Sequence, residues 1–327
     1  MNYGLPYKGS KNRIAKRILD ILPAAPVLYD VFCGGCAITH AAMLSGKYQH
    51  FVVNDLRSWL PDAFQKAIHG GYAHEDRWIS REDFERLKDT DAYAAMCFSF
   101  GNDCQSYMYA RGLEPYKRAL HYAIFWKDIA PWAALCPETA DALASGLALI
   151  EDRKQRRVQA GHFIVESLKA QLAAGMLTPD ILDKPIYRQI RKPKDTSQSL
   201  QSLESLERLQ RLESLERLES LQSLERLPDT LTVYSMDYRE LCFDEPGIIY
   251  CDPPYKSTEE RYGREFDFNG FYSWCLHQSN PVFISEYTMP EDLFVPVASF
   301  TVTRKMSAKK SRICPEKIWR PRCQSGI

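Results

Sequence analysis

Asp252-Pro253-Pro254-Tyr255 is the stretch whose residue types could do chemistry. It closes the apolar run Gly247-Ile248-Ile249-Tyr250-Cys251, which reads as a short buried strand. The Asp252 carboxylate can accept hydrogen bonds. Both prolines fix φ and lack an N–H, so the Pro253 carbonyl is held in a rigid turn and left to accept. Tyr255 presents a flat face. Two acceptors and one platform suit a planar ring bearing an exocyclic amine, and an adenine drawn out of a duplex is such a ring. Asp-Pro-Pro is also ordinary turn chemistry, so a second motif has to carry part of the reading.

That second motif lies far upstream. Val27 to Phe32 is another apolar run, Cys33-Gly34-Gly35-Cys36 follows, and Ala37 to Leu44 reads as a helix of small and apolar residues. Strand, glycine turn and helix in that order are the plan of a nucleotide-type cofactor site. Phe51-Val52-Val53-Asn54-Asp55 reads as a second strand ending in an acid, about twenty residues on, where an acid can bond ribose hydroxyls. The dinucleotide pattern G-x-G-x-x-G and the P-loop Gly-Lys-Ser/Thr are both missing. S-adenosylmethionine is then the best nucleoside-bearing cofactor.

With these residues in place the chain resembles a Dam-like DNA adenine-N6 methyltransferase, of the group whose cofactor motif precedes the DPPY motif, and phage and prophage members look closest. Tyr7-Lys8-Gly9-Ser10-Lys11 resembles the N-terminal motif, which implies cofactor contacts for Tyr7 and Lys11. Asp30 to Cys36 resembles the F-x-G-x-G turn, with Asp30, Phe32 and Gly34 at the cofactor and Cys36 where the pattern has its last glycine. Asp55 matches the ribose acid, and Asp237 resembles the acid near the cofactor's adenine. Asp252, Pro253, Pro254 and Tyr255 match the catalytic motif, with Asp252 also at the cofactor; Val282 to Tyr287 resembles a later core strand. The resemblance implies an α/β fold, a Rossmann-like S-adenosylmethionine-dependent methyltransferase core with a largely helical inserted target-recognition region. Its partner would be double-stranded DNA with a flipped adenine, and neither metal nor membrane is expected.

Cofactor and base must meet, so the core has to be discontinuous: 1–60 carries the cofactor motifs and 229–327 the DPPY motif. Between them, 61–196 reads as the inserted target-recognition region, with helical patterns at Arg81 to Leu87 and Tyr116 to Trp126. The aromatic stretch Phe98 to Tyr109 suits base contacts, although most of its rings are expected to be buried packing. Residues 197–228 hold a low-complexity repeat with leucine at every third position. At about 100° per residue that stripe winds around a helix and cannot form a zipper seam. It reads as a helical spacer of about 40 Å if continuous, a protrusion whose removal should spare methyl transfer.

The 327 residues are 45% hydrophobic, enough for a sizeable core in one large domain or two. Lys+Arg and Asp+Glu both number 42, and zero net charge argues mildly against tight nonspecific DNA binding. Basic residues do cluster at the two ends. From Arg304 to Arg322 they face Glu316 alone, and a solvated tail and phosphate contact are equally good readings. Lys154, Arg156 and Arg157 read as a solvated helix face. The ten cysteines are scattered, as in a reduced cytoplasm. Cys33-x-x-Cys36 lacks a second ligand pair and reads as two small residues in a tight turn. No signal peptide or membrane-length apolar stretch is visible, so a cytoplasmic protein of a bacterial or phage-infected cell is expected.

The implied reaction is methylation of the adenine N6 amine in DNA. Asp252 and the Pro253 carbonyl would hold the amine hydrogens and Tyr255 would stack on the base, its ring mattering more than its hydroxyl. The alternatives are an N4-cytosine DNA methyltransferase, where Ser usually replaces Asp252, and a non-catalytic DNA-binding module with a degenerate cofactor site. Target sequence, a restriction partner and oligomeric state are not readable from the chain.

Overall fold

The computed structural model describes residues 3–187, 213–222, 230–255, 266–307 and 310–324, with the backbone alone at 182, 213, 215, 220, 221, 302–307 and 310–314. The chain divides into two units, 1–73 with 220–327, and 74–219.

The first unit is built on a seven-stranded sheet in the order β3-β2-β1-β4-β5-β7-β6. Its strands are β1 (Val27–Asp30), β2 (His50–Asn54), β3 (Leu231–Tyr234), β4 (Gly247–Cys251), β5 (Val282–Glu286), β6 (Phe294–Ser307) and β7 (Lys310–Pro321). The first five pair in parallel. Every residue of β1, β4 and β5 is buried, as expected of central parallel strands covered on both faces. β3, at the edge, alternates half-buried and exposed positions. Helices α1 (Ala15–Ile21), α2 (Ala37–Met43) and α3 (Trp59–Ile68) accompany the first strands.

From β1 the chain steps outward through β2 to β3. It then re-enters on the other side of β1 at β4 and steps outward through β5. The winding therefore reverses between β1 and β4. In open α/β sheets a ligand binds outside the carboxyl ends of the strands at such a reversal. The expected α/β core is the fold observed. The long hairpin β6–β7 was not legible: β7 pairs antiparallel with β5 from Ile284–Trp319 to Glu286–Lys317. Residues of the hairpin before Lys317 thus run on past the carboxyl end of β5. Pro296 is tolerated in β6 because β6 is an edge strand and its register slips between Pro296 and Ala298.

The core extends past the expected boundary at 60/61. Leu60, Ala63, Phe64, Ala67 and Ile68 are buried on α3, an i, i+3, i+4, i+7, i+8 stripe that ties the helix to the sheet unit.

The second unit is helical: α4 (Arg81–Leu87), α5 (Ala92–Cys97), α6 (Glu114–Trp126), α7 (Ala130–Leu135), α8 (Pro137–Ala148), α9 (Arg153–Ala173), α10 (Pro179–Asp183) and α11 (Glu213–Gln222) up to Glu219. The helices read at Arg81 to Leu87 and Tyr116 to Trp126 are α4 and the body of α6. The rings are mostly core. Trp78 stacks on Tyr109 at 5.5 Å and meets Phe98 edge-on at 5.3 Å. Phe98, Tyr107 and Tyr109 are buried, whereas Phe100 is 67% exposed.

Two expectations are corrected by the packing of this unit. The repeat is not wholly a free spacer. In α11, Leu218 is buried, Arg217 donates to the Met96 and Ser99 carbonyls, and Glu216 and Glu219 pair with Arg157. The rest, 197–212 and 223–228, lies outside the described residues. Nor do Arg156 and Arg157 sit on a solvated face: Arg156 is buried and Arg157 is held by α11. Helix α12 (Phe268–Leu276), in the first unit, completes the described α-helices.

Candidate active site

The turn after β1 is built by hydrogen bonds to the neighbouring strands. Val31 N donates to the Tyr250 carbonyl at 3.0 Å, and Cys33 N to the Asn54 carbonyl at 2.9 Å. Asn54 Nδ2 clasps the carbonyls of Val31 and Met236, so one side chain ties the ends of β1, β2 and β3 together. Gly34 lies at φ 47° and Cys36 at φ 53°. The last position of the turn therefore needs the left-handed region, which glycine enters without strain and cysteine does not. Both cysteines are buried, and no group of residues able to hold a metal occurs among the described residues.

Close approach to this turn is partly used by the chain itself. Leu5 N donates to the Gly35 carbonyl at 2.6 Å, and a Cβ on Gly35 would sit 2.9 Å from the Leu5 carbonyl oxygen. Gly4 N donates to His40 Nδ1 at 2.9 Å. Burial pushes the His40 imidazole down to about 4, which keeps that nitrogen an acceptor. The N-terminal segment is thereby pinned across the turn, with the Tyr7 ring 3.5 Å from where a Cβ on Gly34 would stand.

Three aspartates stand at the ends of adjacent strands. Asp30, the last residue of β1, accepts from Thr39 Oγ1 at 2.7 Å and is pushed up to about 7, by burial first and then by the nearby Asp252 and Asp55, against the Thr39 bond. Asp55, just past β2, accepts from Gly34 N and Arg57 N at 3.0 Å each; burial raises its carboxyl against both bonds. Asp252, just past β4, is two residues beyond the partner of Asp30. Burial raises its carboxyl, and the Lys11 ammonium pulls the other way. Lys11 Nζ lies 2.7 Å from each Asp252 oxygen, so the expected cofactor lysine and the expected catalytic acid are joined across 241 residues.

Tyr255 is buried, and its hydroxyl donates to Glu316. Its ring meets Tyr287 edge-on at 4.7 Å, with Lys11 Nζ 4.8 Å from its centroid. Phe32 packs with Tyr238, Phe266 and Phe271 at 5.3, 6.0 and 5.7 Å. Tyr7 OH accepts from Arg57 at 2.8 Å. Asp237 is engaged by Arg239, which holds its carboxyl below the usual range. Pro253 and Pro254 follow Asp252 directly in the turn.

Glu316 and Ser285 were not singled out as site residues. A signal for Glu316 existed, since it is the lone acid of a basic terminus. Of that terminus, Lys317 lies over the Trp319 ring and Arg320 over Phe283, so these two serve packing. The side chains of Arg304, Lys305, Lys309, Lys310 and Arg312 lie outside the described residues.

Residues 7–130 match the family model for the D12 class N6 adenine-specific DNA methyltransferase. Over that span the chain is similar to the D12 class adenine-specific DNA methyltransferases. The match takes in the N-terminal motif, the glycine turn, Asp55 and the first part of the helical unit, and stops well before Asp252. Among curated proteins none matches the chain. The family methylates adenine at N6 in DNA, with S-adenosylmethionine as methyl donor. The donor set fits that cofactor: carboxylates at three strand ends favour a sulfonium cation, and the turn of Gly34 offers backbone to a nucleoside. No helix among the described residues is long and apolar enough to cross a membrane.

Proposed function

We propose that the residues at the β1/β4 reversal carry the reaction, with an adenine flipped out of the duplex against Asp252, Pro253 and Tyr255. The observation that carries this reading is the position of Asp252 at the carboxyl end of β4, close enough to Asp30 for the two charges to interact, and bound by a lysine of the N-terminal motif. When bound, S-adenosylmethionine supplies an electrophilic methyl on a sulfonium. The adenine amine is a poor nucleophile because its lone pair is delocalised into the ring. Asp252 and the Pro253 carbonyl accept its two hydrogens, draw density onto nitrogen and fix its direction, so the residues act by positioning and electrostatics. To do so, Asp252 exchanges part of its bond to Lys11 for the amine. The Tyr255 ring lies against the base. Tyr7, Phe32, Gly34 and Asp55 bind the nucleoside part, and Asp30 faces the positive charge.

The helical unit is read as the target-recognition region, with Phe100 as the ring of its aromatic stretch accessible to a base. Backbone register sets Arg304 opposite Arg312 on the β6–β7 hairpin, which suits phosphate contact near the strand ends. A cytoplasmic role in a phage or restriction–modification setting rests on the motif resemblance. Incubation of the chain with S-adenosylmethionine and unmethylated plasmid DNA, followed by base-resolution detection, tests the reading. N6-methyladenine at a defined sequence is expected, lost in Asp252→Ala. N4-methylcytosine, or full activity in Asp252→Ala, would sink it.

A further inference from the structure

Behind the aspartate and the tyrosine stands a carboxylate to which that reaction gives no part. Glu316 on β7 is 2% exposed, one residue past the pairing of Lys317 with Glu286. One of its oxygens, Oε1, takes three partners. It accepts from the Tyr255 hydroxyl, accepts from Ser285 Oγ at 2.7 Å and lies 3.7 Å from Lys11 Nζ. The Tyr255 hydroxyl and Ser285 Oγ are 3.3 Å apart, which closes the group. A buried carboxylate is costly unless charge and hydrogen bonds compensate it, and these three compensating groups are site residues and their support.

This arrangement has two consequences. The Tyr255 ring is fixed by its far end, so its orientation is set before a base arrives. The Lys11 ammonium is shared between two carboxylates, 2.7 Å from Asp252 and 3.7 Å from Glu316. When Asp252 turns to the adenine amine, Lys11 still has a carboxylate within ion-pair distance. We infer that Glu316 is the positioning residue of this site: it holds the Tyr255 ring through its hydroxyl and keeps Lys11 paired while Asp252 changes partner.

The inference rests on the base placement proposed above and is tested by single-turnover methylation of plasmid DNA at saturating S-adenosylmethionine. The variants are Glu316→Gln, Tyr255→Phe and the pair combined, with cofactor Kd from calorimetry and Tm recorded for each. Glu316→Gln keeps the volume but removes the charge, which weakens the bond from the Tyr255 hydroxyl as well as the pairing with Lys11. Its rate should fall about tenfold while the cofactor Kd stays within about threefold, a split that general loosening of the fold would not give. Tyr255→Phe should lose a similar factor, and the double variant should lose less than the product of the two. A wild-type rate in Glu316→Gln, or losses that simply multiply, overturns the inference. If Glu316→Gln does not fold, Tyr255→Phe decides alone: a tenfold loss supports the anchor and an unchanged rate overturns it. A wild-type chain that leaves adenine unmethylated sinks both readings, whereas an active wild type with an indifferent Glu316→Gln sinks only this one.

Discussion

The two units bury charge in different ways. In the sheet unit, buried and half-buried ionisable groups converge: Asp30, Asp55, Asp252, Lys11 and Glu316 all gather at the carboxyl ends of strands, and several have another of the set as neighbour. In the helical unit several such groups are settled one by one. His121 Nε2 bonds the Asp76 carbonyl, Lys117 sits over the Tyr109 ring, and Arg157 pairs with two glutamates of α11. Buried charge used for structure is disposed of one group at a time. Charges pressed together at the carboxyl ends of neighbouring strands carry desolvation and mutual repulsion that a cationic ligand relieves.

The sharpest way to break this contrast is to remove one charge from each unit. Asp252→Ala should lower single-turnover methylation by about a hundredfold or more with little change in Tm. A Tm drop matching the loss of rate would make Asp252 a structural residue like those of the helical unit. Arg217→Ala, which strips the Met96 and Ser99 carbonyls of their donor, should destabilise the helical unit by about 1–3 kcal/mol and leave cofactor binding untouched. Denaturant unfolding with calorimetry on the same sample checks both halves of that expectation.

The units should also part company with pH. Asp30 has a folded-state pKa of about 7, above its unfolded value. Its contribution is therefore complete below the unfolded value and lost as pH rises through 7. His121 is the reverse: burial lowers it to about 4, so its contribution is present above 6.5 and lost as pH falls from there towards 4. His40 adds a loss of the same sign to the sheet unit, offset there by Asp30 and by the raised Asp55 and Asp252. Between pH 6.5 and 5 the helical unit should lose protection against hydrogen exchange first, and Asp30→Asn should flatten the dependence of the sheet unit between pH 5 and 8. Equal loss in the two units would remove the distinction.

The smallest effect is expected at Cys36. Cys36→Gly relieves a left-handed backbone but gives up a buried thiol, so stability should stay within about 1 kcal/mol and methylation should be unchanged. A large loss of cofactor affinity would instead make the thiol part of the site.

Much of the sheet unit was legible because its chemistry is local. An apolar run ending in Asp-Pro-Pro-Tyr, and another ending in a glycine turn, each name a strand and the turn that leaves it. The repeat misled for a related reason: three-residue leucine spacing speaks only about an isolated helix, whereas Arg217 of α11 is held by residues far away in sequence and Leu218 is buried. The rings from Phe98 to Tyr109 looked alike in sequence, and only packing separated the buried three from exposed Phe100.

The sequence by itself determined the strands, the turn chemistry after them and the acids at their ends, because neighbouring residues set backbone conformation and burial pattern. Tertiary structure alone decided that Lys11 meets Asp252, that Glu316 stands behind Tyr255, and that Gly35 makes room for the chain's own N-terminal segment. Those contacts depend on which strand lies beside which, and strand order is fixed by the packing of the whole sheet.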